Sequence, residues 1–211
     1  MEEMNFTQTK ELLLSVSDAV IASKQLLTEI DSAIGDGDHG IGMEVGFTKV
    51  KDVLYSIEET GNVFDLFHKA GKAMLISMGG ASGVIFGCMF MAGAKAVDPA
   101  RMLTSENFAD MLEKSLIAIK ERGKAQVGDK TMVDALEPAV EALKKQKENG
   151  LAYALSAAQA AALEGVENTK KVEAKFGRAK TQASSIGYQD AGATSVWIIL
   201  KSMADYANRH Q

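Results

Sequence analysis

Cysteine and proline are nearly absent from this chain. A single cysteine, Cys88, among 211 residues excludes an internal disulfide framework and any multi-cysteine metal centre. Cys88 lies in an apolar run and reads as a small core residue of a reducing compartment. Only two prolines, Pro99 and Pro138, interrupt the chain. No stretch alternates Val, Ile or Thr between turn residues, so half-buried strands have no signature. The longest apolar run, Gly83 to Ala94, is too short to span a bilayer. The start, Met1-Glu2-Glu3-Met4-Asn5, is acidic and polar, unlike a signal peptide. A net charge of −5, with no basic group denser than Lys144-Lys145-Gln146-Lys147, argues against a nucleic-acid surface. The expectation is a cytoplasmic protein with no membrane and no nucleic-acid partner.

What is present favours helix. Apolar residues make up 46% and charged residues 24%, and Ala, Leu, Met, Lys and Glu dominate. The length fits one helical domain spanning residues 1–211. Three-four spacing of apolar residues predicts eight helices. They cover Thr9 to Glu29, His39 to about Ile57, Asn62 to Ser77, a segment after Ser82, one opening at Thr104 or Ser105, Met132 to Lys147, Leu151 to Glu173, and Thr194 to Asn208. Pro138 is expected to kink the sixth helix or mark a late start. Trp197 reads as core. With no strands, eight helices of similar length suggest an all-α, antiparallel up-and-down bundle.

That topology sorts the glycines. Connections after the first, third, fifth and seventh helices share one end, and they hold thirteen of the nineteen glycines. The other three connections read as polar turns. A composite site at the glycine-rich end follows.

The first of these connections is the most unusual stretch in the chain: Asp31-Ser32-Ala33-Ile34-Gly35-Asp36-Gly37-Asp38-His39-Gly40. Three aspartates within eight residues repel one another by roughly 3 kcal/mol per pair at about 5 Å and an effective dielectric near 20. A divalent cation would turn the repulsion into ligation, and oxygen donors alone suit Mg²⁺ or Ca²⁺. An EF-hand starting at Asp36 fails, because Gly40 and Ile41 fall where a ligand and the turn glycine belong. A helix N-terminus decorated with acids is the alternative reading.

The remaining loops carry other chemistry. Gly79-Gly80-Ala81-Ser82-Gly83 precedes a helix and could present backbone N–H groups to an anion, or simply turn the chain with Ser82 as N-cap. It lacks the Gly-Lys-Ser/Thr ending of a P-loop. Arg122-Gly123-Lys124-Ala125 and Gly128-Asp129-Lys130-Thr131-Met132 mix charge with glycine. Met132 could wall a flat base, and Asp129 could cap the sixth helix. In Gly177-Arg178-Ala179, Arg178 is either a phosphate fork or a surface arginine. No Ser/His/Asp or Cys/His set is evident.

Taken in order, these motifs, with Ser185-Ile186-Gly187 at the end, resemble the nucleotide-binding L subunits of bacterial dihydroxyacetone kinases over nearly the whole chain. The resemblance implies a closed barrel of eight antiparallel helices with ADP or ATP at one end. It implies that Asp31, Asp36 and Asp38 hold two Mg²⁺ ions. It assigns His39, Gly40, Ile41, Gly42, Ala81 and Ser82 to the phosphates and nearby nucleotide, and Gly123 and Met132 to the base. Arg178 would stabilise the transferring group, and Asp190, Ala191 and Gly192 would complete the site. Relatives often carry proline where this chain has Ala191. The implied partners are a separate substrate-binding kinase subunit and a phosphohistidine donor protein that recharges bound ADP. The oligomeric state is open, with a homodimer one option. Two other readings stand beside this one: an ATP-dependent kinase subunit for another short ketose or an acyl chain, and a non-catalytic Mg-nucleotide-binding regulator.

Overall fold

The computed structural model describes residues 1–182 and 184–210. Among these, nine helices form a ring. They are α1 (Phe6–Ala22), α2 (Lys24–Ile34), α3 (His39–Ser56), α4 (Phe64–Ser77), α5 (Gly80–Ala96), α6 (Ser105–Gly123), α7 (Val133–Lys145), α8 (Leu151–Thr169) and α9 (Ala191–Arg209). From α3 onward each helix packs on the next, and α9 returns to α1 and α2, which close the ring against α3.

Two departures from the expected eight helices have local causes. The first predicted helix is broken at Ser23, whose hydroxyl bonds back to the Ala19 carbonyl at 2.8 Å. Serine back-bonding of this kind bends helices, and no glycine or proline announces it. A short antiparallel pair, Glu3–Met4 (β1) with Leu103–Thr104 (β2), also contradicts the expectation of no strands. It belongs to the N-terminal segment, which also accepts N–H bonds from Leu151 and Ala152 on the Glu2 and Met1 carbonyls. This segment ties two of the three plain turns together at the end of the ring away from the glycine loops.

The helix ends obey ordinary capping chemistry. Asn5 and Thr104 open α1 and α6 with reciprocal capping boxes. Asn62 stands just outside α4, where its side chain accepts from Phe64 and Ala100 N–H groups. The ring interior is filled by side chains. Phe67 is fully buried and meets Phe64, Phe90 and Phe108 at centroid distances of 6.3, 6.4 and 5.8 Å.

Two glycines set how closely helices approach. A Cβ at Gly93 would lie 1.8 Å from the Met111 carbonyl oxygen, so α5 and α6 touch backbone to backbone there. A Cβ at Gly165 would lie 2.1 Å from the Asp134 carbonyl oxygen. That oxygen is the one Pro138 cannot bond within α7, so the helix runs through the proline with the spare acceptor against α8. No helix among the described residues is long and apolar enough to cross a membrane.

Candidate active site

The four glycine-rich connections meet at one end of the ring around a cavity of about 480 Å³. Its wall takes residues from all four: Asp31, Asp36, Asp38 and His39; Gly79 to Ser82; Gly123, Lys130 and Met132; Arg178 and Asp190 to Gly192. The lining combines the Asp31, Asp36 and Asp38 carboxylates and Arg178 with apolar side chains, Ile85, Phe86, Ile119, Ala125, Met132 and Val133.

Among these carboxylates, Asp31 is carried by the last turn of α2, while Asp36 and Asp38 lie in the turn before α3. Gly37, at φ 75°, permits that turn, because a side chain in this region is strained. Each carboxylate offers an oxygen within 4.8 Å of the other two. Burial and the neighbouring Asp36 and Asp31 carboxylates push Asp38 above the usual carboxylate range. Asp31 also accepts the His39 N–H at 3.3 Å, which caps the start of α3. The one cation on the cluster in the described structure is Arg178, whose Nε lies 2.8 Å from Asp36 Oδ2. Three convergent oxygen donors with so little neutralisation fit a hard divalent cation such as Mg²⁺.

His39 sits behind this cluster. Its Nε2 is 2.8 Å from Ser195 Oγ on α9, its Nδ1 is 3.5 Å from Ser82 Oγ, and its ring rests on Phe86. Burial lowers its pKa, with the Asp31 carboxylate and a backbone bond at Ala191 opposing, and so favours the neutral ring. The sequence marks Ser195 in no way, although it holds one face of this histidine.

Three expected ligand residues do not line the cavity. Gly40 faces α2, where a Cβ would lie 2.3 Å from the Lys24 carbonyl oxygen, so its small size serves helix crossing. Ile41 is half exposed on the outside of α3. Gly42 N–H is already taken by the Asp38 carbonyl at 2.9 Å. Ser82 is not an N-cap either. Helix α5 begins at Gly80, which puts Ser82 in its first turn, beside N–H groups with no helical partner.

The third loop is built differently from its expected form. Asp129 is buried and does not cap α7. It accepts from Gln126 N–H and from Lys175 Nζ at 2.6 Å, and the Lys175 bond chiefly holds its carboxyl below the usual range. No side chain caps α7, and Asp134 in its first turn instead holds the loop, accepting N–H groups of Gly128 and Thr131 at 2.7 and 2.8 Å.

Lys130 was also not foreseen as a structural residue. It is almost fully buried at φ 59°, and its ammonium meets carbonyls of the fourth loop.

In that fourth loop, Arg178 opens a short 3-10 turn, Arg178–Thr181, and is largely exposed at the cavity mouth. Asp190 caps α9 by accepting Ala193 N–H at 2.7 Å. Burial pushes its carboxyl up to about 7, with Asp134 and Asp31 adding and Ala193 N–H and Lys130 opposing. Ala191 starts α9 where proline would also fit, since its N–H needs no helical partner.

Comparison with known proteins gives one consistent family. Residues 33–205 match the model of the DAK2 domain. The chain is 37% identical over 201 residues to the ADP-binding subunit of PEP-dependent dihydroxyacetone kinase from Escherichia coli K12, covering 94% of this chain and 95% of that protein. It is also 37% identical to the corresponding ADP-binding subunit of kinase 1 from Listeria innocua, covering 88% and 89%. Among solved structures it resembles the dihydroxyacetone kinase of Citrobacter freundii in complex with AMP-PNP and Mg²⁺. That likeness has a TM-score of 0.74 at 25% identity and covers 97% of this chain and 34% of that one.

Proposed function

The chain belongs to the DAK2 domain family, and from that premise we propose that it is the nucleotide-binding subunit of a dihydroxyacetone kinase. It holds ADP or ATP and passes a phosphoryl group to a triose bound on a separate substrate subunit. The observation that carries the reading is the convergence of all four glycine-rich loops on one cavity lined by both carboxylates and apolar side chains.

Phosphoryl transfer needs positioning and charge stabilisation more than covalent work. Asp31, Asp36 and Asp38 would hold Mg²⁺, two ions in the finer form of the reading. A divalent cation held there would supply positive charge to offset that of the phosphates. The unpaired N–H groups of the first α5 turn, with Ser82, offer donors to phosphate oxygens. Neutral His39 adds no charge to this wall and orients Ser82 through its ring. Arg178, now on Asp36, is long and exposed enough to turn onto the phosphate chain. Met132, Ile85, Ile119 and Gly123 would flank the base. Asp190 to Gly192 close the cavity at the start of α9.

We further propose that ADP stays bound and is recharged by a phosphohistidine donor protein. The support is the likeness to PEP-dependent subunits of nearly the same length. The acceptor ketose would be chosen by the substrate subunit. The test is reconstitution. The chain with ATP, Mg²⁺ and dihydroxyacetone should form no ketose phosphate. Adding the substrate subunit and the donor protein should restore turnover. Turnover by this chain alone, at ordinary kinase rates of about 1–100 per second, overturns the division of labour.

A further inference from the structure

We propose that Lys130 is a positioning residue for phosphoryl transfer. Its ammonium closes the base of the connection between α8 and α9 and so places Arg178 and Asp190 to Gly192 against the third loop. The part of this inference that concerns transfer rests on the nucleotide reading of the cavity. The part that concerns loop closure does not.

Lysine is rarely fully buried, and a non-glycine residue rarely sits at positive φ. Lys130 does both, at 2% exposure and φ 59°. Two such costs at one residue need an offsetting gain. An ammonium has three N–H donors, and here all three find carbonyl oxygens: Thr169 at 2.6 Å, Val172 at 3.3 Å and Tyr188. No carboxylate forms an ion pair with it among the described residues, although Asp190, Glu173 and Asp134 lie near enough to favour its charge.

The placement of the three acceptors is informative. Thr169 ends α8 and Val172 follows it, where the chain departs. Tyr188 lies where the chain returns, three residues before α9. Other donors also join these two ends, Gly187 N–H to the Lys170 carbonyl at 2.8 Å and Ser185 N–H to Glu173 Oε2 at 2.8 Å, and the Lys130 ammonium adds a tie from the third loop that reaches both at once. The carbonyls at a helix C-terminus also favour a cation. One ammonium therefore grips both ends of the connection that carries Arg178.

Its own backbone is held in turn, since Asp134 accepts the N–H groups of Gly128 and Thr131 on either side. A second tie runs parallel to it at the surface, from Lys175 to Asp129, through Nζ at 2.6 Å and through backbone at 3.1 Å. Asp190 is tied to the same corner, its N–H donating to Thr169 Oγ1 at 3.0 Å.

The test uses Lys130→Met and, as a milder variant, Lys175→Met, whose side chain is 62% exposed. Hydrogen exchange of the full chain without nucleotide reads the closure. Lys130→Met should speed exchange across 170–190 by about tenfold or more while α3 and α4 keep wild-type rates, the size expected for losing charge-assisted bonds. Turnover with the substrate subunit and the phosphohistidine donor protein reads the positioning. Lys130→Met should lower kcat by about tenfold, and the loss should shrink to about twofold in an Arg178→Ala background, because both changes act through one group. A purely structural role leaves the two losses multiplicative, which overturns the positioning claim. Unchanged exchange overturns the closure. Should Lys130→Met not fold, Lys175→Met must show the same non-additive pattern at smaller size, and wild-type behaviour in it refutes the proposal. Should the wild-type chain bind no nucleotide, the functional reading and the positioning claim fall together while exchange still decides the closure.

Discussion

Replacing Asp36 by alanine should abolish Mg²⁺-dependent nucleotide binding and yet leave the ligand-free fold as stable as before, or more so. Asp36 faces Asp31 and Asp38 with carboxylate oxygens inside 4.8 Å. At that spacing a like-charge pair costs about 1 kcal/mol in a water-like dielectric and roughly 3 kcal/mol at an effective value of 20. The mouth is open and Asp36 is about one-third exposed, so the lower figure applies. Removing Asp36 relieves two pairs, a gain of about 2 kcal/mol. It also breaks the ion pair with Arg178, and an exposed pair contributes only about 0.2–1 kcal/mol. The net effect on the apo protein is about +1 to +2 kcal/mol, or a melting shift of about +2 to +8 °C for a chain of this size. Metal-dependent ADP binding should instead fall by on the order of a hundredfold, since one of three charged ligands is gone. Thermal melts of both apo proteins in EDTA, paired with calorimetric titrations in Mg²⁺, measure the two effects. A mutant that melts several degrees below wild type without ligand would show that Asp36 is structural. A mutant that binds Mg-ADP normally would remove it from the metal site.

Asp190 predicts a pH dependence of the opposite sign to ordinary acid denaturation. Its folded pKa is raised to about 7, so between about pH 4 and 7 the native state binds more protons than the unfolded chain, and stability falls as pH rises. Asp190 lines the cavity and is only partly buried, which makes about 4 kcal/mol an upper bound. His39, with its pKa lowered, works against this in the upper part of the window, where the unfolded chain protonates first. Asp190→Asn keeps an N-cap acceptor and should flatten the apo stability profile over that range, as followed by urea unfolding at several pH values. A slope identical to wild type would contradict it. Gly93→Ala probes the ring itself: its Cβ would fall 1.8 Å from the Met111 carbonyl oxygen and 2.6 Å from Ser115 Oγ. Overpacking of this kind costs about 1–3 kcal/mol or more, so melting should drop by several degrees while the folded variant keeps its nucleotide affinity.

Much of the site could be read before the fold, because glycines and aspartates carry their reasons in their identity. Gly37 permits a turn that presents Asp36 and Asp38, and both residue types are visible as letters. The parity of the glycine loops worked because antiparallel helices put alternate connections at one end. The residues that escaped notice owe their roles to neighbours far away in sequence. Lys130 looks like any loop lysine until α8 and Tyr188 supply its carbonyls. Ser195 looks like any helical serine until His39 meets it. Gly40 misled for the same reason: a glycine at a helix start suits a phosphate, and it suits a crossing helix equally well. The break at Ser23 and the strand at Glu3–Met4 rest on one hydroxyl bond and on two residues, too little for any periodicity to register.

The central claim is that this end of the ring holds an adenine nucleotide through divalent metal. Calorimetric titration of the intact chain with ADP, once in millimolar Mg²⁺ and once in EDTA, tests it most directly. The account predicts saturable binding at one site in Mg²⁺ and a loss of at least about a hundredfold in EDTA, because three carboxylates without their cation repel the phosphates. Equal affinity in the two buffers would contradict it.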